Sequence, residues 1–246
     1  MSEPVKKTDR IYLVDAHGYL HRAYHALPPL TTSSGEPVGA LLGFARMLLA
    51  LIRRENPEYL AVCFDAPGPT FRHKLFERYK ATRKPIDEDL KKQLALARDL
   101  VAAMGLPRTE VPGWEADDLI ATLAKRAESE GMQVVVVSGD KDALQLVDER
   151  VRVLNEAKGV LLDAGKVEEK FGVSPSQIVD YLSLVGDVSD NVPGAPGIGP
   201  VGAAKLLRRF GSLDDVLQAA RRRDPEVPAK AAESLQKAED QVRFGR

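Results

Sequence analysis

Asp15, Asp65, Asp140 and Asp142 follow three short apolar runs, in YLVD, AVCFD and VVVVSGDKD. The runs Ile11 to Val14, Leu60 to Phe64 and Val134 to Val137 are hydrophobic without alternation, as strands covered on both faces must be. In open parallel sheets the ligand crevice lies at the carboxyl ends of the strands, so these four carboxylates are candidates for one shared site. Taken singly, each is better read as a turn former or a helix cap. Two further acid groups shift the balance: Glu115, Asp117 and Asp118 in GWEADDLIATLAKRA, and Asp187 with Asp190 in GDVSDN. Favourable charge at a helix N-terminus needs only one or two acids. Asp187 and Asp190 share a face if their segment is helical, and Asp140 and Asp142 share one if theirs is extended. On an ideal helix only Glu115 and Asp118 align, so Asp117 joins them only if Glu115 precedes the helix.

Convergence of these acids has a chemical consequence. Two like charges ~4 Å apart repel by about 4 kcal/mol at an effective dielectric of 20, so the cluster stays ionised only with cations. An all-oxygen set without cysteine, and with no histidine at a motif position, suits Mg²⁺ or Mn²⁺ rather than zinc. Mg²⁺ keeps several waters and uses few carboxylates, so nine acids read as two ion sites. Two metals ~4 Å apart stabilise the attacking and leaving oxygens in phosphodiester cleavage.

Two segments could face a polyanion. Residues 71 to 84, FRHKLFERYKATRK, carry six Lys/Arg against one Glu. As a helix this stretch puts Phe71, Leu75 and Tyr79 on one stripe, with Arg72, Lys80 and Arg83 beside it. A solvated helix face is the ordinary reading; interleaved rings that can stack on bases while cations follow phosphates favour nucleic acid. In PGAPGIGPVGAAKLL, Gly197 and Gly199 precede Pro200, which suits the first position of a helix. Glycines admit a phosphate to the backbone and the helix N-terminus offers free N–H groups, so this is a phosphate-clamp candidate. An ordinary tight turn is the alternative; Lys205, Arg208 and Arg209 just beyond it favour the clamp. The GxxxxGK[ST] loop is absent, which excludes a P-loop nucleoside triphosphatase.

These residues need a frame to hold them. Helical periodicity spans Val38 to Arg54, Asp89 to Met104 and Ala116 to Glu130, between the strands, and the alternation predicts a mostly parallel α/β sheet with flanking helices. From about residue 170 the texture changes to short helices broken by glycine and proline, a smaller helical module; the stretch from Arg221 is charged and alanine-rich. The chain has 246 residues, 44% of them hydrophobic, with 35 Lys+Arg against 36 Asp+Glu and a net charge of -1. That composition excludes a disordered chain and a global positive field, so a polyanionic partner must be met by local patches. The single Cys63 excludes an internal disulfide and a cysteine zinc site. No apolar run reaches the ~20 residues of a membrane span, and the first ten residues are polar, so the expected setting is cytoplasmic.

The strings VDAHGYLHRAYHALPPLT, AVCFDA, FRHKLFERYKATR, GWEADDLIATLA, SGDKDALQL and GDVSDNVPGAPGIGPVGAAKLL, in this order, closely resemble the bacterial 5'→3' exonuclease and flap endonuclease family, which includes the 5' nuclease domain of bacterial DNA polymerase I. The match runs from about Ile11 to Leu217. The resemblance implies a PIN-like core over residues 1–175 with a basic arch at 71–88, a helix-three-turn-helix duplex-binding module at 176–220, and a helical end at 221–246. It implies that Asp15, Asp65, Glu115, Asp117 and Asp118 hold one divalent ion and Asp140, Asp142, Asp187 and Asp190 a second, directly or through water. Arg22, Arg72, Tyr79, Lys80 and Arg83 fall where the family meets DNA, Lys80 and Arg83 in a catalytic role, with Gly197, Gly199, Gly202 and Lys205 on the duplex. A monovalent ion, usually K⁺, is implied at backbone carbonyls around Val192 to Ile198. The family continues beyond the helical module and back to the core, whereas this sequence stops at Arg246, implying a shortened end; with no polymerase region following, it is free-standing or an excised domain.

The expected function is therefore divalent-metal-dependent hydrolysis of DNA at flaps, nicks or free 5' ends, RNA-primed ends and RNA–DNA hybrids included, by a monomer acting in replication and repair. A non-catalytic DNA-binding module and a PIN-type ribonuclease are the alternatives. The complete acid set weighs against the first, the glycine-rich clamp against the second. An aspartyl phosphatase is disfavoured because D-x-D at the first strand is here Asp15-Ala16-His17.

Overall fold

The computed structural model describes residues 9–246. In chain order the elements are β1 (Arg10–Asp15), α1 (Ala16–Ala26), α2 (Gly39–Glu55), β2 (Tyr59–Cys63), α3 (Phe71–Leu75), α4 (Glu88–Ala103), β3 (Arg108–Thr109), α5 (Ala116–Ser129), β4 (Gln133–Val137), β5 (Val151–Asn155), β6 (Val160–Leu162), α6 (Ala164–Phe171), α7 (Ile178–Val185), β7 (Gly186–Asp187), β8 (Val192–Pro193), α8 (Pro200–Phe210), α9 (Leu213–Arg221), α10 (Ala229–Lys237) and α11 (Glu239–Phe244). They divide into two units, residues 9–71 with 85–162, and residues 72–84 with 163–246. No described helix is long and apolar enough to cross a membrane.

The first unit is a six-stranded sheet in the order β3-β2-β1-β4-β5-β6, parallel except for β6. Side chains alternate across it. Tyr12, Val14, Leu60, Val62, Val135 and Val137 face a core shared with Phe44, Leu48 and Leu51 of α2 and Leu90, Leu94 and Val101 of α4. On the other face, α5 packs against β1 and β4 and buries Ile120, Ala124 and Ala127. Two covered faces explain why β1, β2 and β4 read as apolar runs without alternation. The chain goes from β1 outward to β2 and β3, then returns to place β4 on the other side of β1. The carboxyl ends of β1 and β4 thus flank a topological switch point, where neighbouring connections diverge and leave a crevice.

The second unit is helical, with Val167, Ile178, Leu184, Leu207, Leu213, Val216, Leu235 and Val242 buried. Packing starts its main segment at Asp163, ahead of both the change of texture near residue 170 and the module start at 176 that the resemblance implies, because α6 belongs to it: Phe171 meets Tyr181 of α7 edge-on at 5.7 Å. Between α7 and α8 lie the two-residue strands β7 and β8 and a glycine-rich turn that ends with Pro200 at the first position of α8.

Candidate metal centre

Asp15 is the last residue of β1 and caps α1: the Gly18 N–H donates to its carboxylate at 2.9 Å. Its other oxygen accepts from the Ser138 hydroxyl at 3.0 Å, across the switch point. Ser138 in turn accepts from the Asp140 N–H at 3.1 Å, and Asp140 from the Asp142 N–H at 3.0 Å. Beyond the end of β2, the Asp65 carboxylate accepts from the Ala116 N–H at 2.6 Å, which fixes it at the positive end of α5. Asp117, one residue further into that helix, completes the group.

Electrostatics registers the crowding. Asp15, only 6% exposed, has its carboxyl pushed up to about 6, chiefly by burial and further by the charges of Asp65 and Asp140, against the opposing hydrogen bonds from Gly18 and Ser138. Asp117 is held well above the usual carboxylate range by burial first, then by Asp15, Asp140, Asp65 and Asp142. Five acids from four connections thus share one field. Among the described residues, no three carboxylates, histidines or cysteines close into a ligand set around one point. That is the arrangement expected of like charges left to themselves: mutual repulsion leaves Asp15, Asp65 and Asp140 turned toward a nearby N–H or hydroxyl. The donors are all oxygen and buried ones are strained toward protonation, so the group fits hard divalent cations.

Glu115 and Asp118 play a different part. Glu115 precedes α5 as its cap, as the convergence of Asp117 requires, and its N–H donates to Asp118 at 3.0 Å in a capping box. Spacing puts Asp140 and Asp142 on one face of an extended segment; instead Asp142 opens a 3₁₀ turn, and the pair is drawn together by the Asp142 N–H bond. Spacing likewise puts Asp187 and Asp190 on one helix face. They lie in the second unit at the tight β7–β8 turn, where Asp187 accepts from the Ser189 N–H at 2.7 Å and the Asp190 N–H at 3.3 Å. The Gly186 terminus of α7 stops the helix before them.

Nor is the basic segment a continuous helix. It ends at Leu75, and residues 77 to 82 form turns with Lys80 at φ 56°. The reason is packing within the second unit. Tyr79 donates to Asp190 at 2.9 Å, Arg83 does so at 2.5 Å, Lys80 lies 4.0 Å away, and the Lys80 N–H reaches the Asp190 carbonyl at 2.9 Å. Phe76 stacks edge-on against Phe244 at 5.4 Å. Arg72 opens the same segment. At the clamp, Gly197 takes φ 79°, Gly199 caps α8, Gly202 lies in its first turn, and Lys205 is exposed on it. Val192 forms part of β8, and Ile198 closes a turn onto the Ala195 carbonyl at 3.1 Å.

Arg22 lies in the first unit, its guanidinium 5.1 Å from the Tyr19 ring, with one buried nitrogen that has no hydrogen-bond partner among the described residues. A Cβ at Gly139 would collide with that guanidinium, so the glycine of SGDKD leaves room for the arginine beside Asp140. Sequence reasoning missed Gly139 and Ser138. It missed His17 as well, whose Nδ1 accepts from the Asp65 N–H at 3.1 Å and whose burial keeps it neutral by lowering its pKa. Arg98 was also missed; it donates to the Asp65 carbonyl and to Glu110. The signal for Ser138 and Gly139 was their place inside the acid motif; His17 and Arg98 carried none.

The comparisons with known proteins agree with this architecture. Residues 10–172 match the family described as 5'-3' exonuclease, N-terminal resolvase-like domain, and residues 173–246 the 5'-3' exonuclease, C-terminal SAM fold. The 5'-3' exonuclease of Aquifex aeolicus is 42% identical over 226 residues, covering 92% of this chain and 78% of that protein. The thermostable DNA polymerase I of Thermus thermophilus is 49% identical over 209 residues, 85% of this chain but 25% of the polymerase. The chain thus spans about a quarter of such polymerase relatives. Among solved structures, T5 5'-exonuclease with bound zinc superposes with a TM-score of 0.80 at 22% identity, covering 96% of this chain and 87% of that one. The T5 flap endonuclease complexed with DNA and metal ions gives 0.78 at 20% identity, with the same coverage. At such identities these two show the fold.

Proposed function

Because the chain belongs to the 5'-3' exonuclease family, we propose that it hydrolyses DNA phosphodiesters at 5' flaps, nicks and free 5' ends, RNA-primed ends included, with Mg²⁺ or Mn²⁺. The observation that carries this reading is the convergence of Asp15, Asp65, Asp117, Asp140 and Asp142 on the switch point of the sheet. Such a cluster has little use in a binding module. Divalent ions held there would supply charge neutralisation at the scissile phosphate and at the leaving oxygen.

The chain's own residues set the conditions for that chemistry. Asp15, Asp65, Asp117, Asp140 and Asp142 would hold the ions directly or through water. The family pattern assigns Glu115 and Asp118 to the same task, beside their capping role, and Asp187 and Asp190 to a second ion. Ser138 and the N-terminus of α5 orient Asp15 and Asp65, fixing two carboxylates before any ion arrives. Arg22, with an unsatisfied buried donor, is suited to a phosphate oxygen. Arg72, Tyr79, Lys80 and Arg83 would engage the strand near the scissile bond, Lys80 and Arg83 countering developing charge. Gly197, Gly199, Gly202 and Lys205 would receive the phosphates of the duplex at the α8 N-terminus, with K⁺ bridging carbonyls near Val192 and Ile198. A single chain carries all of these groups, so the working form is a monomer.

The deciding experiment is incubation of the folded protein with a 5'-labelled flap duplex, with Mg²⁺, with Mn²⁺ and in EDTA. Metal-dependent release of the flap is expected, with single-stranded RNA left intact. A folded protein that releases nothing under any metal condition sinks the reading.

A further inference from the structure

We propose that Trp114, backed by Phe71, is a stacking platform for an unpaired nucleobase of the DNA strand whose backbone crosses the carboxylate cluster. The proposal rests on the nuclease reading and specifies what part of the substrate the site takes. Trp114 is the only tryptophan of the chain, and it remains 46% exposed while Phe44 and Phe64 are fully buried. Its ring is not loose: it lies 4.9 Å from that of Phe71, tilted by 50°. Two backbone bonds fix the pair, from the Phe71 N–H to the Gly113 carbonyl and from the Trp114 N–H to the Val111 carbonyl, both 3.1 Å. A held ring with an open surface is prepared for a flat, apolar ligand.

Topology gives the ligand. β3 runs parallel to β2, pairing Cys63 with Thr109, so the connections that leave their carboxyl ends emerge on the side of the sheet that carries Asp15, Asp65 and Asp140. One delivers Phe71, the other Trp114. Trp114 immediately precedes Glu115 and stands three residues before Asp117. With divalent ions on the carboxylates the phosphates would be taken up at the cluster, so what reaches a ring beside it is the uncharged, π-faced part of a nucleotide. Inside a duplex both faces of a base are already stacked; an unpaired base offers one. Stacking has no donor pattern to match, so the platform takes any of the four bases.

The single tryptophan makes the contact directly observable. In EDTA, which prevents turnover, its fluorescence should be quenched saturably by a 5'-flap duplex at concentrations where anisotropy shows the DNA bound. A flap of equal length and charge with abasic nucleotides should bind without that quenching. With Mg²⁺, Trp114→Leu should raise KM for the natural flap about five- to tenfold, the size of one lost base stack, and alter kcat little. Trp114→Phe should restore most of the affinity, and on the abasic flap wild type and Trp114→Leu should coincide. Equal quenching by both flaps, or no quenching and no KM change in a wild type that cleaves the natural flap, overturns the platform and leaves the nuclease standing. A wild type without metal-dependent cleavage removes the nuclease reading instead.

Discussion

Asp15 carries two demands that conflict in the absence of a cation. As cap of α1 it accepts from Gly18, and as part of the cluster it sits buried among Asp65 and Asp140, so its carboxyl is raised from 3.8 to about 6. An acid whose pKa is raised on folding favours the folded state below its unfolded pKa and loses that contribution as pH climbs through the folded one. A rise of that size corresponds to about 3 kcal/mol. The metal-free protein should therefore lose thermal stability between pH 4 and pH 7, and Mg²⁺ should restore more at pH 7.5 than at pH 5. Asp15→Asn keeps the cap and the Ser138 partner but removes the charge. In EDTA at pH 7.5 the variant should melt several degrees above wild type while cleaving no flap; a calorimetric scan showing both proteins with the same pH profile would dissociate Asp15 from this cost.

At the scale of elements, β1, β2 and β4 were legible because burial on both faces writes itself as continuous hydrophobicity, and Asp15, Asp65, Asp140 and Asp142 because they follow those strands. β3, two residues long, β5, whose run is broken by Arg152, and β6, at the sheet edge, leave no such trace. The segment at 71–84 has helical spacing, yet long-range contacts from Phe76, Tyr79, Lys80 and Arg83 outweigh that local preference and set Lys80 at positive φ. Ser138 and Gly139 act by contact, which spacing does not encode. The β7–β8 region shows how such contact constrains sequence. Gly194 lies over the end of α7, where a Cβ would collide with the backbone of Val185 and Gly186 and approach the Leu184 carbonyl at 2.5 Å. Backbone cannot step aside as a side chain can. Gly194→Ala should destabilise the second unit by about 1 to 3 kcal/mol. Gly202→Ala, in a helix and with only Ile198 at 3.8 Å, should stabilise it by up to about 1 kcal/mol while weakening duplex binding at the phosphate clamp. Denaturant titration reads both signs in one comparison; two destabilised variants would refute the distinction.

For the whole molecule the informative quantity is a balance of 35 basic and 36 acidic residues. A chain near neutrality gains nothing from long-range attraction to DNA, and its acid cluster repels phosphates until cations compensate it. Binding must come from few, local contacts, which makes its salt dependence countable. If Arg22, Lys80, Arg83 and Lys205 each neutralise one phosphate, log Kd for a flap duplex should rise with log salt with a slope of at most roughly 3.6, since each contact adds about 0.9. Lys205→Ala should lower the slope by about 1, because that side chain is exposed and its loss removes one contact and little else. Arg83 differs: it is already paired with Asp190 at 2.5 Å, so meeting a phosphate requires exchanging partners and frees fewer counterions. Arg83→Ala should therefore change the slope by less than Lys205→Ala does. Binding isotherms in Ca²⁺ across a range of KCl concentrations decide it: equal slope changes for the two variants would mean that the Asp190 pair is absent in solution.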